Sequence, residues 1–416
     1  MKKIAIIGSG ISGLTAAYYL NRLHDICLYE ADSRLGGHTA TKAMKVNGKE
    51  YLIDTGFIVF NDWTYPNFIK LLNELGVDSQ PTDMGFSVFN PTTDYEYAGT
   101  NLATLFAQKS NLFSLTHWKM LRDIVRFNKE AIIDLEAGNL EQNESLGHYL
   151  ARKQYSTAFS ERYLIPMGSA IWSATQGAML DFPLEFFIRF FKNHGLLNVV
   201  NRPQWRVIKG GSSAYITPLI KSFESKIKLN SPVLKIIRHT SKVEIITDSG
   251  SDFYDDVVIA CHSDQALAML SDPTLGEQAT LSAIPYQKND VVMHTDTRLL
   301  PRRKTTWSSW NYLLQSNNQK PPILTYSMNI LQGIKSDVEF CVTLNATNKI
   351  DPTKILGRYE YAHPVFSQAA MQAQEKWKNI NGVNRTWFCG AYWSNGFHED
   401  GVNSALRVVN AIGADT

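Results

Sequence analysis

The first thirty residues contain the feature that most limits how this chain can fold. An apolar segment at 3–7 predicts a short buried strand, and GSGISG follows it with Gly8, Gly10 and Gly13 at the GxGxxG spacing. An apolar helical segment comes next, and then a second strand that ends at Glu30. A strand, a glycine-rich turn, a helix and a strand ending in an acid form the first unit of a dinucleotide-binding fold. The sequence therefore predicts an α/β protein with a Rossmann-like domain at this position.

The glycines of this motif have separate mechanical roles. Gly8 permits the tight turn, Gly10 lets the backbone approach a pyrophosphate, and Gly13 lets the helix pack closely on the strand. The helix offers free N–H groups and a positive dipole end to the phosphates. Glu30, 22 residues after Gly8, is placed to accept a hydrogen bond from a ribose 2′-hydroxyl. That acid disfavours NADP, because a 2′-phosphate would meet a carboxylate.

Further segments bear on whether the dinucleotide is NAD or FAD. RLGGHT occupies 34–39, a strand-like YLIDTGFIVF occupies 51–60, and FCGAYWSNGFHEDGVNSALRVVNAI occupies 388–412. Together with the GxGxxG motif and Glu30, these segments resemble the flavin-containing amine oxidase superfamily. That superfamily also holds polyamine oxidases, phytoene-type desaturases and fatty-acid isomerases. The resemblance extends over essentially the whole chain and implies FAD, with a second, α+β substrate domain.

Three other segments narrow the resemblance. The runs at 161–174, 294–303 and 396–402 resemble a bacterial subfamily of flavoproteins associated with cyclopropane fatty acid synthases. The motifs of that subfamily concern the cofactor and do not define the substrate.

The resemblance also implies roles for individual residues around the flavin. Gly36 and Gly37 would lie under the ribityl–pyrophosphate part of FAD, and His38 stands where many relatives carry arginine. Gly56 and Phe57 would lie near the isoalloxazine ring.

The middle and the far end of the chain supply the remaining contacts of that resemblance. Val233 would hydrogen-bond adenine through its backbone, and Gly390 would touch the pyrophosphate. The segment 400–402 would begin a last helix whose N-terminus faces the flavin pyrimidine edge, where a helix dipole stabilises negative charge. Asp400 could equally be a plain N-cap. The candidate cofactor-binding residues are Gly8, Ser9, Gly10, Ser12, Gly13, Glu30, Ala31, Arg34, Gly36, Gly37, His38, Thr39, Gly56, Phe57, Val233, Gly390, Ala391, Asp400, Gly401 and Val402.

Cofactor motifs at both ends and in the middle of the chain predict a discontinuous FAD domain. It is assigned 1–85, 205–270 and 380–416, and the substrate domain is assigned 86–204 and 271–379. The first insertion is predicted to be largely helical. The second is predicted to be a mixed sheet with a helix near its end.

Composition excludes several classes of protein. The chain has 416 residues, enough for two or three cores, and a net charge of +2 without a basic run, which gives no footprint for nucleic acid. Its four cysteines are far apart with no CxxC pair, which excludes a zinc ribbon and fits a reducing cytosol. The apolar N-terminal stretch is interrupted by glycine after four residues, so we expect a soluble, cytoplasmic protein without a signal peptide. Cys389 is the only thiol near a cofactor motif, beside the pyrophosphate glycine, and we expect FAD to be bound non-covalently, with no metal.

Five phenylalanines fall on one face of the predicted helix at 182–197. Core packing explains such a stripe. It could also be the aromatic wall of a long apolar pocket or a site of peripheral membrane contact. The sequence leaves these interpretations open.

Three residues are candidates for catalysis. Lys288 is the nearest match to the lysine that holds a water at flavin N5 in related amine oxidases. His294, with the pair 302–303, could anchor a carboxylate or phosphate of a lipid headgroup, or could be structural. His398 lies close to Trp393, and such a pair would not form the usual two-aromatic cage for an amine.

The sequence is therefore interpreted as an FAD-dependent oxidoreductase that removes hydride from a hydrophobic, fatty-acyl or lipid substrate. The alternatives are a redox-neutral double-bond isomerase, an amine oxidase, and a non-enzymatic escort-type protein that binds a lipid or a partner. The electron acceptor, the catalytic base and the oligomeric state are not defined by the sequence.

Overall fold

The computed structural model describes residues 1–315 and 319–413; the end of the predicted segment 380–416 lies outside them. The strands of the described residues are β1 (Lys3–Ile7), β2 (Asp25–Tyr29), β3 (Thr41–Val46), β4 (Lys49–Asp54), β5 (Phe60–Asn61), β6 (Ser79–Pro81), β7 (Phe86–Asn90), β8 (Tyr95–Ala98), β9 (Trp205–Ile208), β10 (Ile227–Lys228), β11 (Val233–Arg238), β12 (Val243–Thr247), β13 (Gly250–Tyr254), β14 (Asp256–Ile259), β15 (Tyr286–His294), β16 (Trp310–Leu313), β17 (Ile323–Ser327), β18 (Cys341–Leu344), β19 (Ile355–Pro364) and β20 (Thr386–Phe388).

The helices are α1 (Ile11–Leu20), α2 (Pro66–Glu74), α3 (Leu102–Leu105), α4 (Leu115–Glu136), α5 (Leu146–Arg152), α6 (Thr157–Phe159), α7 (Ile165–Trp172), α8 (Gln176–Leu180), α9 (Leu184–Asn193), α10 (Ile216–Ile220), α11 (Ser263–Met269), α12 (Leu275–Leu281), α13 (Met328–Leu331), α14 (Gln368–Glu375), α15 (Trp377–Ile380) and α16 (His398–Ile412). A π-helical turn at Ser160–Leu164 joins α6 to α7. Among the described residues, no helix combines the length and the apolar character needed to cross a bilayer.

A parallel five-stranded sheet confirms the predicted fold class. Its order is β10-β2-β1-β14-β20, and β1 pairs with β2 on one side and β14 on the other. β1 and β14 are almost wholly buried, as expected for strands covered on both faces. Both neighbours of β1 end at the same edge as β1 itself, so the loops that follow these three strands meet there.

The helices α1 and α16 pack against each other at that edge. Glycine makes the contact close: a Cβ on Gly401 would lie 2.7 Å from Ile11 Cγ2 and 2.9 Å from Ser12 Oγ. The last long helix is thereby fixed against the helix of the GxGxxG motif.

The second large sheet has seven strands in the order β19-β15-β18-β17-β16-β7-β8. It is antiparallel except for the β16–β7 pair. The helices α4 to α9 form a separate apolar cluster beside it. The mixed sheet and its helices make the predicted α+β second domain.

The two sheets are built from different segments of the chain. All five strands of the parallel sheet come from the segments assigned to the FAD domain, and all seven strands of the other sheet come from the insertions. Three helices differ from that division: α12, α14 and α15 contribute to the core around the parallel sheet, although their residues were assigned to the substrate domain. Their apolar faces extend this core because they pack on one another and α12 packs on α11.

The phenylalanine stripe on α9 is core. Phe187 and Phe191 are buried and stack on each other with ring centroids 4.0 Å apart, and Phe182 and Phe190 are buried beside them. A helix face covered in this way has no side chains available for a membrane. The membrane interpretation of this stripe is therefore excluded.

Candidate functional site

A cavity of about 1020 Å³ is lined by residues of both domains. Its size is at the upper end of the range for small-molecule sites. One end is formed by the loops at the carboxyl edge of the parallel sheet. The other end is formed by β19, α7 and the mixed sheet.

The GxGxxG turn forms the first wall of this cavity. Gly8 has φ +97°, a backbone conformation that favours glycine. A Cβ on Gly10 would meet no atom within 4 Å, so it would project into open space. A Cβ on Gly13 would lie 1.9 Å from the Gly8 carbonyl oxygen. The turn therefore leaves no room for a side chain at Gly13, where it packs on the protein, and has free space at Gly10, where it faces the cavity.

The N-terminus of α1 lies beside that open side. Gly10 is the N-cap and supplies no side-chain hydrogen bond, and the first turn of the helix carries no acid. The first N–H groups of a helix have no partner within the helix, and the dipole is positive there. Ser12 lines the cavity next to them. This arrangement can bind an anion such as a pyrophosphate.

Glu30 follows β2 and connects the turn to the end of the second strand. Its Oε2 accepts hydrogen bonds from the Ser9 N–H at 2.8 Å and the Ser9 hydroxyl at 2.5 Å, while Oε1 accepts from the Asp32 N–H at 2.8 Å. The carboxylate lines the cavity together with Ala31. It is therefore held rigidly, at the place where a ribose would lie beside the phosphates.

The segment after Glu30 folds over the turn. Arg34 donates to the Gly37 and Thr39 carbonyls at 2.8 and 3.1 Å. Gly36 and Gly37 have φ +109° and +57°, and a Cβ on Gly37 would lie 3.3 Å from Gly10 Cα. The guanidinium thus braces a loop that only small residues can form.

Gly56 crosses this loop at close range. A Cβ on it would lie 2.1 Å from the His38 carbonyl oxygen, and the Phe57 N–H donates to that oxygen at 2.7 Å. Gly56, Phe57 and His38 all line the cavity. The loop after β4 therefore lies directly on the loop after β2.

His398, the first residue of α16, stacks on Phe57 with ring centroids 3.4 Å apart. Its Nε2 lies 3.0 Å from Thr39 Oγ1 and 3.4 Å from Tyr215 Oη. Burial lowers the pKa of His398 to about 3, so the ring is neutral at pH 7. Thr39 itself is buried behind His398, and it positions that ring without lining the cavity.

The remaining residues at the end of the chain occupy two layers. Gly390, Ala391 and, from the middle of the chain, Val233 line the cavity. Asp400 lies behind them and accepts a hydrogen bond from the Phe397 N–H at 2.9 Å, so it caps α16. Gly401 and Val402 are buried, and α16 begins at His398 rather than at 400. The N-terminus of α16 faces the cavity through His398.

Three further histidines line the cavity beyond the glycines: His38, His262 and His363. The His38 ring centroid lies 5.4 Å from that of His363 and 6.2 Å from that of His262. His38 Nε2 is buried without a hydrogen-bond partner. Burial, with a smaller effect of neighbouring histidines, lowers the pKa of His38 well below its usual range and that of His363 to about 4, and burial also lowers the pKa of His262. We call these three residues the histidine group; all are neutral near pH 7.

His363 is oriented by a hydrogen-bonded network behind it. Its Nδ1 lies 3.2 Å from the Asn289 amide nitrogen and 3.1 Å from Ser173 Oγ, and Asn345 donates to Asn289 Oδ1 at 3.0 Å. A ring nitrogen that accepts from an amide leaves the proton of the neutral ring on the other nitrogen. His363 is thus fixed as the Nε2–H tautomer at the cavity wall.

The far end of the cavity is aromatic. Its walls include Trp172, Trp310, Tyr326, Phe366 and Phe397. Phe397 and Phe366 each stack against phenylalanines of α9, and Trp172 packs against the same cluster. The α9 stripe is therefore the support of the aromatic wall, and other residues form its inner face. In the described part of the chain, the indole N–H groups of Trp172 and Trp310 are buried without a hydrogen-bond partner.

Lys288 does not join the buried groups. It is three-quarters exposed, and its Nζ pairs with the Glu360 carboxylate at 2.9 Å. Both residues border the cavity. The lysine therefore lies in an exposed ion pair at the rim, and the structure does not bring it together with the histidine group.

His294 lies away from the cavity lining. It is fully buried in the mixed sheet, where Nε2 lies 2.7 Å from Thr343 Oγ1 and Nδ1 accepts from the Asp296 N–H at 3.1 Å. Arg302 and Arg303 pair with acids of β8 and its preceding turn. The predicted headgroup anchor is not assembled, because each of its members has a structural partner.

Trp393 and the cysteines lie close to the cofactor end. Trp393 is buried against Tyr392, outside the cavity lining, so it forms no pair with His398. All four cysteines are free, and Cys261 lines the cavity, where burial raises its pKa to about 12. The cysteine at the cofactor end of the cavity is thus Cys261 and not Cys389, which is buried outside the lining.

A possible metal-ligand cluster lies elsewhere in the described residues. Glu141, Glu144 and His148 bring three ligand atoms within 4.8 Å of one another. Both carboxylates are paired with Arg152. An ion-pair network accounts for this cluster.

Sequence reasoning missed the strand that carries His363 and Tyr361. β19 alternates over 358–361, where Arg358 and Glu360 are exposed and Tyr359 and Tyr361 are half-buried, and His363 falls on the same face as these tyrosines. That period-two pattern was the available signal.

The cavity fits FAD on this structure's own features. It has an open glycine approach at Gly10, an uncapped helix N-terminus, a fixed carboxylate at Glu30 and a buried donor or acceptor, His38 Nε2, without a partner. These groups match a pyrophosphate, a ribose and a polar ring edge along one cavity. The aromatic residues line a different part of the same cavity from these groups.

Comparisons with known proteins agree with this geometry. The chain is 25% identical over 279 residues to a Mycobacterium tuberculosis protein, AofH, named as a flavin-containing monoamine oxidase. That match covers 65% of this chain and 59% of the relative, and the chain spans about three fifths of the length of the curated relatives it matches. Among solved structures, cyclohexylamine oxidase from Brevibacterium oxydans has a TM-score of 0.67 at 16% identity, over 99% of this chain and 98% of that one. A fatty acid isomerase from P. acnes that produces CLA has a TM-score of 0.68 at 17% identity, over 99% of both chains. These two structures share the fold.

The family itself is given by a model that matches residues 11–330 and is described as flavin-containing amine oxidoreductase. The match covers about three quarters of the chain. It confirms the predicted cofactor, FAD, and the predicted class of FAD-dependent oxidoreductases. The chain therefore belongs to the flavin-containing amine oxidoreductase family.

Proposed function

We propose that the protein oxidises the hydrocarbon chain of a hydrophobic, fatty-acyl or lipid substrate with FAD as the hydride acceptor. The observation that carries this proposal is the absence of a free charge at the aromatic end of the cavity. Among the described residues lining the cavity, the charged side chains are Glu30 and Asp264 of the dinucleotide domain, the bracing Arg34, and the mutually paired Lys288 and Glu360 at the rim.

The walls of that end favour an apolar molecule. Trp172, Trp310, Tyr326, Phe366 and Phe397 supply broad apolar faces, and apolar surface removed from water contributes about 25 cal/mol per Å². A diamine or an amino acid would bring one or two charges into this region. Burying a charge without a partner is strongly unfavourable.

The neutral histidines fit the same substrate class. Burial lowers the pKa of His363 to about 4, so it adds no charge near pH 7. Its Nε2–H can hold or transfer a proton at the cavity wall. When FAD is bound, the flavin supplies the two-electron chemistry, while the chain orients the substrate, excludes water and positions this proton.

The sequence offers additional support. The segments 161–174, 294–303 and 396–402 resemble the subfamily associated with cyclopropane fatty acid synthases, and that association points to fatty-acyl chains. A cage for a neutral amine is not supported, since Trp393 lies outside the cavity lining.

Anaerobic flavin reduction tests the proposal. The FAD-saturated protein is mixed with oleic acid, linoleic acid, their methyl esters and phosphatidylglycerol, and in parallel with cyclohexylamine, putrescine and L-leucine. We expect the flavin absorbance to bleach with at least one lipid and with none of the amines. Bleaching by an amine alone would make the protein an amine oxidase. A shifted double bond recovered without net bleaching would make it an isomerase.

A matched pair of variants links the reaction to the aromatic end. Ile171 lines the cavity on α7, whereas Leu180 is exposed on α8. Ile171→Glu is expected to suppress lipid-dependent bleaching at least tenfold while FAD remains bound, because it places a charge among apolar walls. Leu180→Glu should leave the rate within twofold. Equal rates in both variants would place the substrate elsewhere.

A further inference from the structure

Exposed apolar side chains are concentrated in one segment of the second domain. The described residues include nineteen exposed large apolar side chains, and seven of them fall between 102 and 133. Such clustering on the surface marks an interaction site, whereas isolated exposed apolar residues are ordinary. The seven are Leu102, Leu112, Phe113, Leu115, Trp118, Val125 and Ile133. We call them the α3–α4 surface.

The surface is organised by the 22-residue helix α4. At 3.6 residues per turn, Leu115, Trp118, Val125 and Ile133 lie within about 80° of one another around the helix axis. The opposite side of the helix is buried in the domain. α4 therefore packs one face on the domain and carries an apolar stripe on its outer face.

The most exposed part of this surface lies at the start of α4. Phe113 is 87% exposed and Leu115 81% exposed. The Trp118 indole N–H donates to the Leu112 carbonyl at 2.9 Å, and the Ser114 hydroxyl caps α4 by accepting from the His117 N–H. The exposed rings are therefore held out on an ordered support.

As far as residue 129 the exposed charges between these apolar residues are cations, and Glu130, which precedes Ile133, is half-buried and pairs with Arg126. Lys109, Lys119, Arg122 and Lys129 are exposed on this segment. Between residues 97 and 129 the only acid is Asp123, which is buried and paired with Arg122 and Arg126. The surface thus combines tryptophan, phenylalanine and leucine with cations and presents no exposed carboxylate over that segment.

We propose that the α3–α4 surface binds an anionic phospholipid bilayer, with α4 lying in the plane of the interface. Interfacial helices have this composition, with apolar and aromatic residues for the acyl boundary and lysine or arginine for the headgroups. Each cation near an anionic leaflet adds attraction that salt weakens. The expected peripheral membrane contact is thereby moved from the buried α9 stripe to α4.

The elements that carry this surface pack, by their inner sides, against residues of the aromatic end of the cavity. Leu105 and Met120, from the inner side of α3 and α4, belong to the same apolar cluster as Trp310 and Tyr326, which line the cavity. The proposal deepens the proposed function, because membrane binding would bring the cavity to a source of lipid. It rests on the proposed function only for this biological role.

Co-sedimentation of the FAD-saturated full chain with vesicles tests the proposal. The vesicles are pure phosphatidylcholine, or phosphatidylcholine and phosphatidylglycerol in equal parts. We expect binding to the anionic vesicles, at least tenfold weaker binding to the neutral ones, and release at high salt. Phe113→Asp/Leu115→Asp should reduce binding to anionic vesicles more than tenfold. Brominated lipids should quench less tryptophan fluorescence in Trp118→Phe than in the unmodified protein.

The chain offers a closely matched control. Leu275 and Val200 are 86% and 79% exposed, so Leu275→Asp/Val200→Asp adds the same charge at equally exposed sites elsewhere. It should bind vesicles like the unmodified protein, and both double variants should retain their FAD absorbance. Equal binding by the two double variants, or no binding by the unmodified protein, would overturn the proposal. A dimer that only Phe113→Asp/Leu115→Asp dissociates, without vesicle binding, would make this surface a protein interface instead.

The outcome is separable from that of the proposed function. Vesicle binding without lipid-dependent flavin bleaching would retain the surface and reject the substrate class. Flavin bleaching by a lipid without vesicle binding would retain the substrate class and reject the membrane surface.

Discussion

Replacing two glycines of the first turn separates cofactor binding from folding. Gly10 has φ −64° and ψ 176°, which alanine adopts freely, and its added methyl would meet no protein atom within 4 Å. Gly10→Ala should therefore leave the unfolding free energy of the FAD-free protein within about 0.5 kcal/mol of the original. That methyl projects into the side of the cavity that the pyrophosphate would approach. Crowding of one methyl costs about 1–3 kcal/mol, so the Kd for FAD should rise about 5- to 150-fold.

Gly13→Ala makes the opposite prediction. Its methyl carbon would lie 1.9 Å from the Gly8 carbonyl oxygen and 3.2 Å from Ala260 Cβ. The first distance is more than about 1 Å inside van der Waals contact, and both partners belong to the fold. The helix must move off the sheet, and we expect a loss of about 3 kcal/mol or more in unfolding free energy. FAD binding should fail as a consequence of that loss.

Two measurements on the FAD-free proteins distinguish the variants. Urea unfolding followed by circular dichroism gives the free energies, and titration with FAD followed by flavin fluorescence gives the Kd. Unchanged FAD affinity in Gly10→Ala would refute the placement of the pyrophosphate at α1. Unchanged stability in Gly13→Ala would refute the close helix–strand packing.

Three further outcomes follow from the site. His363→Gln should slow substrate-dependent flavin bleaching more than tenfold at unchanged FAD content, whereas Lys288→Gln should change the rate less than twofold. The reason is that only the histidine faces the cavity interior. If stopped-flow traces showed the reverse order, Lys288 would again be the candidate catalytic residue. Burial lowers the pKa of His294 from 6.5 to about 4. Between these pH values the unfolded chain therefore binds more protons than the folded protein does. As a result, the unfolding free energy falls as the pH is lowered through that range. His294→Gln should reduce that slope by up to about 1.4 kcal/mol per pH unit in urea titrations at pH 4.5 to 7, and an unaltered slope would contradict a buried neutral ring. Mild acid precipitation should release all of the flavin into the supernatant, because burial raises the pKa of Cys261 to about 12 and the thiol stays protonated; yellow colour retained in the pellet would show a covalent bond.

The dinucleotide half of the fold was accessible from sequence because its signals are local. The turn at Gly8 to Gly13 lies between two strands that the chain places within thirty residues, and each glycine has one geometric task. Glu30 follows at a fixed spacing for the same reason. The structure has β1, α1 and β2 where those signals put them.

The substrate half was less accessible because its contacts are long-range. β7 and β8 were assigned to a helical insertion, yet β7 pairs with β16, more than two hundred residues later. No strand is predicted over β19, which has 10 residues and pairs with β15 from an earlier part of the chain. His262 and His363, which flank His38, come from separate domains. Their proximity depends on how the two sheets pack, and no spacing in the sequence predicts it.

The pairing order of the parallel sheet also sets the timing of assembly. β1 lies between strands near residues 25 and 256, and β20 completes the sheet near residue 388. At a synthesis rate of about 5–20 residues per second, the glycine turn leaves the ribosome roughly 20 to 80 seconds before its last supporting strand. The nascent motif lacks β14 for the first part of that interval and lacks α16 throughout it, and an aborted chain would lack the walls that hold the flavin. The yellow colour of this protein would therefore report complete synthesis as well as cofactor supply.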